Sequence, residues 1–203
     1  MPEVRSLHLP EGDAVTEPTV ECFAIFGAGR RYRYVLRRKF LPETGAPLRL
    51  CVWLNPSTAD EKDDDASVRV GMGFARRWGD GGILIINLGD LVETYSQKLP
   101  ERHEERVGPF HVAYMLEVFR GEHGVLHPDV LCGWGDEGAG PLAEDMVMHL
   151  RRWTFRPVAL ALTKSGNPGH PLRKKADLVP FAFRTPQEER EALSAGMRAR
   201  RAP

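Results

Sequence analysis

The sequence predicts an α/β protein with a single domain, in which helices flank both faces of a central four-stranded parallel sheet. Four short apolar segments alternate along the chain with segments of helical length. They are LRLCVWL (48–54), GILIINL (82–88), DVLCGW (129–134) and PVALAL (157–162). Continuous rather than alternating apolar character is typical of parallel strands that are covered on both faces. With 203 residues, the chain is long enough for one such domain and short for two.

A β-hairpin is predicted before the parallel strands. Residues 1–19 contain three prolines and show little periodicity, so we expect an extended arm. The segments VECFAIF and RYRYVLRRKF then flank a glycine-containing turn at 27–30. In the second segment, aromatic and aliphatic residues alternate with arginines, which predicts a hairpin with one cationic face.

The predicted helices fill the crossovers between the strands. Val68, Met72 and Ala75 give the first crossover an apolar stripe. The second and third helices are expected within 102–121 and 138–152. A last helix is expected over 186–203, after a main domain at 20–185. Thr185 and Glu188 have the spacing of an N-cap and its N3 partner, with Pro186 in the first turn.

Composition excludes some classes of protein. No segment approaches the length of about 20 apolar residues that a membrane span needs, and the N-terminus has no secretory signal, so we expect a cytoplasmic protein. The 28 Lys and Arg balance the 28 Asp and Glu, so net charge does not indicate a polyanionic partner. Cys22, Cys51 and Cys132 lie far apart among apolar neighbours, which favours buried thiols over disulfides or a zinc site.

Small polar residues follow all four predicted strands. In open parallel sheets, ligands bind outside the carboxyl ends of the strands, so these residues predict a cleft. Asn87 ends an aliphatic strand, and a buried amide there needs a partner that a ligand can supply. Turns and helix caps are the alternative interpretation of several others. The candidates include Asn55, Pro56, Ser57, Thr58, Asn87, Trp134 and His170.

A run of acids follows the first of these strands. Asp60 and Asp63–Asp65 could bind magnesium, but the dipole of the following helix also favours acids at this position. We therefore expect no metal and no cofactor.

Four segments of the chain resemble the uncharacterised bacterial and phage family DUF1643. These segments are RYRYVLRR, LNPSTAD, GFARRWG and TKSGNPGHPL, and the resemblance covers most of residues 21–175. The order of the strand ends is also similar to that of the uracil-DNA glycosylase superfamily. That second resemblance implies a DNA glycosylase with a four-stranded parallel sheet between helices.

The glycosylase resemblance also implies roles for residues. Asn55 would position the attacking water, Asn87 would bind the base, and His170 would donate to the negative charge that develops on the departing base. Leu172 or Arg173 would insert into the duplex. The water-activating aspartate of the uracil-specific enzymes has no counterpart, so Asp60, Asp64 or Asp65 is the candidate carboxylate, and we select Asp65. Pro56, Ser57, Thr58 and Trp134 complete the expected substrate pocket.

The expected partner is DNA, because an enzyme of this kind must extrude a nucleotide from the duplex. The substrate implied is a modified pyrimidine, in DNA repair or anti-phage defence, and a monomer is expected. An enzyme acting on free nucleotides or nucleosides and a non-catalytic DNA-binding module remain alternatives, whereas a serine hydrolase is disfavoured because no G-x-S-x-G motif is present. The cations expected to contact phosphates are Arg31, Arg33, Arg37, Arg38, Lys39, Arg173, Lys174 and Lys175.

Overall fold

The protein contains one mixed sheet of seven strands and three α-helices within the residues that its structure, a computed structural model, describes: 20–185 and 188. The strands are β1 (Val20–Phe26), β2 (Arg33–Phe40), β3 (Arg49–Trp53), β4 (Gly82–Asn87), β5 (Asp129–Gly133), β6 (Arg156–Ala159) and β7 (Phe181–Ala182). The helices are α1 (Ala66–Trp78), α2 (His111–Phe119) and α3 (Pro141–Arg152). Short 3-10 turns lie between several of these elements.

All four apolar segments form strands, as predicted. The sheet order is β1-β2-β4-β3-β5-β6-β7, and the pairings β4–β3, β3–β5 and β5–β6 are parallel. β3 and β4 are buried at every position, in agreement with their continuous apolar sequence. The sheet is nevertheless larger than the four strands predicted, because β2 pairs antiparallel with β4 and β7 pairs antiparallel with β6.

Helices cover both faces of the sheet, as expected. α1 packs on one face, where Val68, Phe74 and Ala75 join a buried cluster with side chains of β3 and β4. α2 and α3 pack on the other face, where Met115 and Leu150 belong to a second buried cluster. Both clusters include side chains of the parallel strands, so the helices pack directly against the strands whose carboxyl ends border the cavity described below.

The prediction of one cationic hairpin face is wrong. β2 is an interior strand whose two edges pair with β1 and β4, and residues on both of its faces are buried or half-buried. Arg33 and Arg38 are buried, with 2% and 0% of their surface exposed. Arg38 pairs with Asp64 at 2.6 Å, and Arg37 pairs with Glu21. Acids of the 60–65 segment and of β1 therefore neutralise Arg38 and Arg37.

The cysteines follow the prediction in two of three positions. Cys51 and Cys132 are buried in the sheet, where desolvation raises the pKa of both thiols, that of Cys51 to about 12. Cys22 is exposed, contrary to the prediction, because β1 is an edge strand. None of the three forms a disulfide within the described residues.

The capping signal before the C-terminal segment is confirmed. The backbone N–H of Glu188 donates to Thr185 Oγ1 at 3.2 Å, and Glu188 Oε2 accepts from the N–H of Thr185 at 2.7 Å. The remainder of the predicted last helix and the 1–19 arm lie outside the described residues. Among the helices that are described, none is long and apolar enough to cross a bilayer.

Candidate functional site

A cavity of about 620 Å³ opens at the carboxyl ends of the parallel strands. Segments that follow β3, β4, β5 and β6 all contribute to its wall, together with the first residues of α1. The predicted cleft therefore exists at the predicted edge of the sheet. Its wall is formed by Leu54, Asn55, Ser57, Asp65, Ala66, Ser67, Glu93, Thr94, Ser96, Trp134, Gly135, Asp136, Glu137, His170 and Leu172.

A larger cavity, of about 920 Å³, lies at the β6–β7 edge, beside Leu162, Phe181 and Arg151. None of the predicted catalytic, substrate-binding or DNA-binding residues lines it. The smaller cavity, which holds the predicted residues, is therefore the candidate site.

The side-chain amide of Asn55 has a fixed orientation. Its Nδ2 donates to the backbone carbonyls of Pro56, at 2.9 Å, and Glu93, at 2.6 Å. Because both neighbours are carbonyl oxygens, the nitrogen must face them. No donor of the described residues bonds to Asn55 Oδ1. Asn55 therefore offers the cavity a carbonyl acceptor on a preorganised side chain.

The imidazole of His170 has a fixed tautomer. Its Nδ1 accepts from the backbone N–H of Leu172 at 3.1 Å, so in the neutral ring the proton is on Nε2. Desolvation by burial lowers the pKa of His170; nearby Asp65 opposes this effect and Lys174 adds to it. His170 is therefore a neutral N–H donor at neutral pH.

Close packing holds the His170 segment on the sheet. The ring of His170 lies 5.5 Å from that of Trp53, centroid to centroid. A Cβ added at Gly133, the last residue of β5, would lie 2.9 Å from Pro171 Cδ and 3.3 Å from Trp53 Cδ1. Only glycine allows β5 to approach this segment so closely, so Gly133 helps to position His170.

Among the acids of the 60–65 segment, Asp65 is the one that borders the cavity. Its Oδ1 accepts from the N–H of Val68 at 2.9 Å and caps α1. Asp64 pairs with buried Arg38, and Asp60 Oδ1 accepts from the backbone N–H groups of Lys62 and Asp63. These contacts account for Asp60 and Asp64 structurally and leave Asp65 as the candidate carboxylate from this segment. Within the described residues, no group of three or more metal-ligating side chains is found.

Asp136 is a further cavity carboxylate that the sequence analysis did not select. Its Oδ1 accepts from Thr163 Oγ1 at 2.6 Å and from Asn167 Nδ2 at 2.9 Å. The hydrogen bond from Thr163 lowers the pKa of Asp136 most, followed by that from Asn167, and Ser165 adds a smaller contribution. Asp136 follows the end of β5 in the sequence, and this position is the feature from which its place at the cavity could be predicted. Two more acids line the cavity: Glu93, on the loop after β4, and Glu137, in the 3-10 turn that begins at Asp136.

Asn87 does not face the cavity, which corrects its assignment as a base-binding residue. It is 1% exposed and its Oδ1 accepts from Arg33 Nη2 at 3.3 Å. Arg33 Nη1 also donates to the carbonyl of Ala59 at 2.8 Å. The predicted phosphate contact at Arg33 is therefore wrong, because this guanidinium is bonded inside the protein.

The remaining predicted pocket residues divide into two groups. Ser57 and Trp134 border the cavity, although Trp134 is only 2% exposed. Pro56 is buried and Thr58 is exposed, and neither borders the cavity. The carbonyl of Pro56 instead helps to orient Asn55.

Cations are present beside the cavity on the segment that carries His170. Arg173 and Lys175 are exposed, Lys174 is half-buried, and Leu172 lines the cavity wall. On the hairpin, Arg31 is exposed, whereas Lys39 pairs with Glu43 at 2.6 Å. The 173–175 segment is thus the basic surface that lies next to the site.

A protein-family model described as "Protein of unknown function (DUF1643)" matches residues 33–172, which is more than half of the 203 residues. No curated protein and no solved structure matches the chain.

Proposed function

We propose that this chain, which belongs to the DUF1643 family, is a DNA glycosylase that hydrolyses the bond between a modified or non-canonical base and its sugar. The observation that carries the proposal is the pairing, in one cavity, of a fixed carbonyl acceptor at Asn55 with a fixed N–H donor at His170. Hydrolysis of an N-glycosidic bond needs both functions, one for water and one for the departing base.

The donor serves the leaving group. When the base departs with the bonding electrons, negative charge develops on its carbonyl oxygen. The Nε2–H of a neutral His170 stabilises that charge without giving up its proton, because a neutral imidazole is a very weak acid. Leu172 N–H and Trp53 hold the ring in position. One preorganised donor of this kind lowers the barrier by about 3 kcal/mol, which is a factor on the order of 100 in rate.

The acceptor serves the nucleophile. An amide is too weak a base to deprotonate water, but Asn55 Oδ1 orients a water molecule toward the sugar through a hydrogen bond. The carboxylate of Asp65, on the same cavity wall, supports the cationic sugar and accepts the proton of the water. The hydroxyl of that water then forms the new bond to the sugar carbon, the departed base takes up a proton from solvent, and Asp65 releases its proton to solvent.

The surface beside the cavity accounts for DNA binding in this proposal. Extrusion of a nucleotide costs a few kcal/mol, which phosphate contacts at Arg173, Lys174 and Lys175 offset. Leu172, between His170 and these cations, occupies the space that the extruded base leaves in the duplex. Asn87 and Arg33 have no part in this scheme, because both are buried away from the cavity.

The parallel pairings among β4, β3, β5 and β6 support a relation to the uracil-DNA glycosylase superfamily. The order of the polar strand ends adds to this support. Asn55 follows the first parallel strand of the chain and His170 follows the last, as the resemblance implies.

The test is base release from DNA. Duplexes that carry uracil, hydroxymethylated pyrimidines or glucosylated pyrimidines are incubated with the protein, and abasic sites are detected by alkali cleavage. We expect release from at least one duplex, with rates about 100-fold lower for Asn55→Ala and His170→Ala. Asp145→Asn, a change at an exposed position of α3, is the matched control and keeps the parent rate. Binding to every duplex without release from any contradicts the proposal and supports a non-catalytic DNA-binding module.

An enzyme on free nucleosides is a second candidate. The observation that favours it is the neutralisation of the hairpin: Arg33 and Arg38 are buried, and Lys39 is paired. Fewer cations are therefore available for a duplex than the sequence suggested. Base release from a free nucleoside at a rate independent of salt, with none from DNA, would establish this alternative.

A further inference from the structure

All the charged side chains in the wall of the candidate cavity are carboxylates, and its donors are neutral: hydroxyl groups, the Trp134 indole and His170. Asp65, Glu93, Asp136 and Glu137 line it, together with the carbonyl of Asn55. No lysine or arginine of residues 20–185 belongs to this wall. An anionic group inside the cavity would face several carboxylates without a compensating cation. The cavity therefore suits a neutral ligand that presents N–H donors.

Asp136 has the best-defined orientation of these carboxylates. Thr163 Oγ1 and Asn167 Nδ2 both bond to the same oxygen, Oδ1, and the side chain of Ser165 lies close enough to act on the carboxylate as well. The bonds from Thr163 and Asn167 hold Oδ1 in place, and neither of them engages Oδ2. They also favour the ionised form, so Asp136 is an acceptor and not a donor at neutral pH.

We propose, on the premise of the proposed function, that the cavity takes a base with an exocyclic amino group, as in cytosine, and that Asp136 Oδ2 accepts a hydrogen bond from that amine. Aspartate is a known type of partner for the cytosine amine, since its carboxylate only accepts and the amine only donates. Uracil and thymine carry a carbonyl oxygen at that position, which would place two acceptors against each other. His170 Nε2–H remains for the ring carbonyl that both kinds of pyrimidine share.

The experiment measures binding of cytidine and uridine, which differ at this one group. Either nucleoside is titrated into the full chain, and the indole N–H signal of Trp134 is followed by NMR, because Trp134 borders the cavity. We expect cytidine to bind at least about tenfold more tightly than uridine, as a hydrogen bond to a charged acceptor contributes on that scale. Equal affinity, tighter binding of uridine, or no response to either nucleoside overturns the inference.

Two variants assign the preference to Asp136. In Asp136→Asn, the amide oxygen keeps the bonds to Thr163 and Asn167, while the free position becomes an N–H donor that suits the uracil carbonyl. The preference for cytidine should fall to about equal affinity or reverse. Asp145→Asn, the exposed control on α3, should keep the parent preference.

Thr163→Val, which removes one of the two bonds that hold Asp136, should weaken cytidine binding with less effect on uridine. An unchanged preference in Asp136→Asn refutes the role of Asp136.

The outcome is independent of catalysis. A cytidine preference without base release from any DNA would keep the inference and remove the proposed function. Base release from uracil duplexes alone would support the proposed function and overturn the inference.

Discussion

Two sets of polar residues lie at the same edge of the sheet, yet one borders the cavity and the other is buried. Asn55 and His170 line the cavity, whereas Arg33 and Asn87 bond to each other inside the protein. The difference follows from where each residue leaves the sheet. Asn87 is the last residue of β4 and is paired in register with Trp53 of β3. Asn55 lies beyond the end of β3, where the chain has already turned toward solvent.

The comparison shows that position at a strand end does not by itself make a residue part of the site. A polar side chain still inside the sheet is covered by its neighbours, so it needs a partner from the protein. A polar side chain just past the strand can use the backbone for one group and offer the other to a ligand. Arg33 and the side-chain carbonyl of Asn87 exemplify the first case and Asn55 the second, whereas Nδ2 of Asn87 is buried without a hydrogen-bond partner among the described residues.

The largest effect that we expect is the loss of stability on removal of the buried Arg33 side chain. Arg33→Ala should lower the free energy of unfolding by about 3 kcal/mol, because the carbonyl of Ala59 and Asn87 Oδ1 lose their donor. Burial lowers the pKa of Arg33 to about 10, so the charge is present at neutral pH. Arg31→Ala, at an exposed position two residues earlier, should change stability by less than about 0.5 kcal/mol. Urea denaturation measures both, and equal losses would contradict the distinction.

The second prediction concerns the packing around Gly133, which positions His170 at the cavity. Gly133→Ala places a Cβ within 2.9 Å of Pro171 and 3.3 Å of Trp53. We expect a loss of about 1–3 kcal/mol, because the core must shift to accept the methyl group. The ring signals of His170 should move as well. Gly73→Ala on α1 is the control, since its Cβ would meet only the Arg77 side chain and alanine favours a helix. A Gly133→Ala variant with unchanged stability and unchanged His170 ring signals would show that Pro171 and Trp53 do not pack tightly against Gly133.

Much of the fold follows from local sequence. The apolar segments at 48–54 and 82–88 form β3 and β4, because continuous burial is visible in each segment alone. The edge strand β7, only two residues long, carries no such signal. The interior position of β2 was missed because its pairing with β4 joins segments more than 40 residues apart.

The site was predictable to a smaller extent. Asn55 and His170 were accessible from the sequence, since each follows an apolar strand. Asp136 also follows such a strand, but its fixed orientation depends on Thr163 and Asn167, which lie 27 and 31 residues later. The burial of Arg33 likewise depends on Ala59, 26 residues away. The sequence pattern around Asp136 or Arg33 does not indicate which distant residues will bond to these side chains.

The third prediction compares the exposed cations of the 173–175 segment with Lys39, which is paired, by their effect on the salt dependence of DNA binding. If the 173–175 segment contacts phosphates, the double variant Arg173→Gln/Lys175→Gln should reduce the slope of log affinity against log salt by about 0.9 per cation. Lys39→Gln on the hairpin should leave the slope unchanged, because Lys39 is paired with Glu43. Fluorescence anisotropy with a labelled duplex measures both slopes. The opposite pattern would place the DNA on the hairpin.

The smallest expected effect is the pH dependence that His170 contributes. Burial lowers its pKa in the folded chain, whereas the unfolded chain has the ordinary value of about 6.5. As pH falls through that value, the unfolded chain binds a proton first, so stability is full at higher pH and decreases toward acid. The slope from one group cannot exceed about 1.4 kcal/mol per pH unit. Comparison of the parent chain with His170→Asn by urea denaturation isolates this contribution, and the parent should lose more stability in acid. An NMR titration of the ring with a midpoint above 7 would show that His170 is mainly a cation at neutral pH, in which case it could not act as the neutral donor that the proposed function requires.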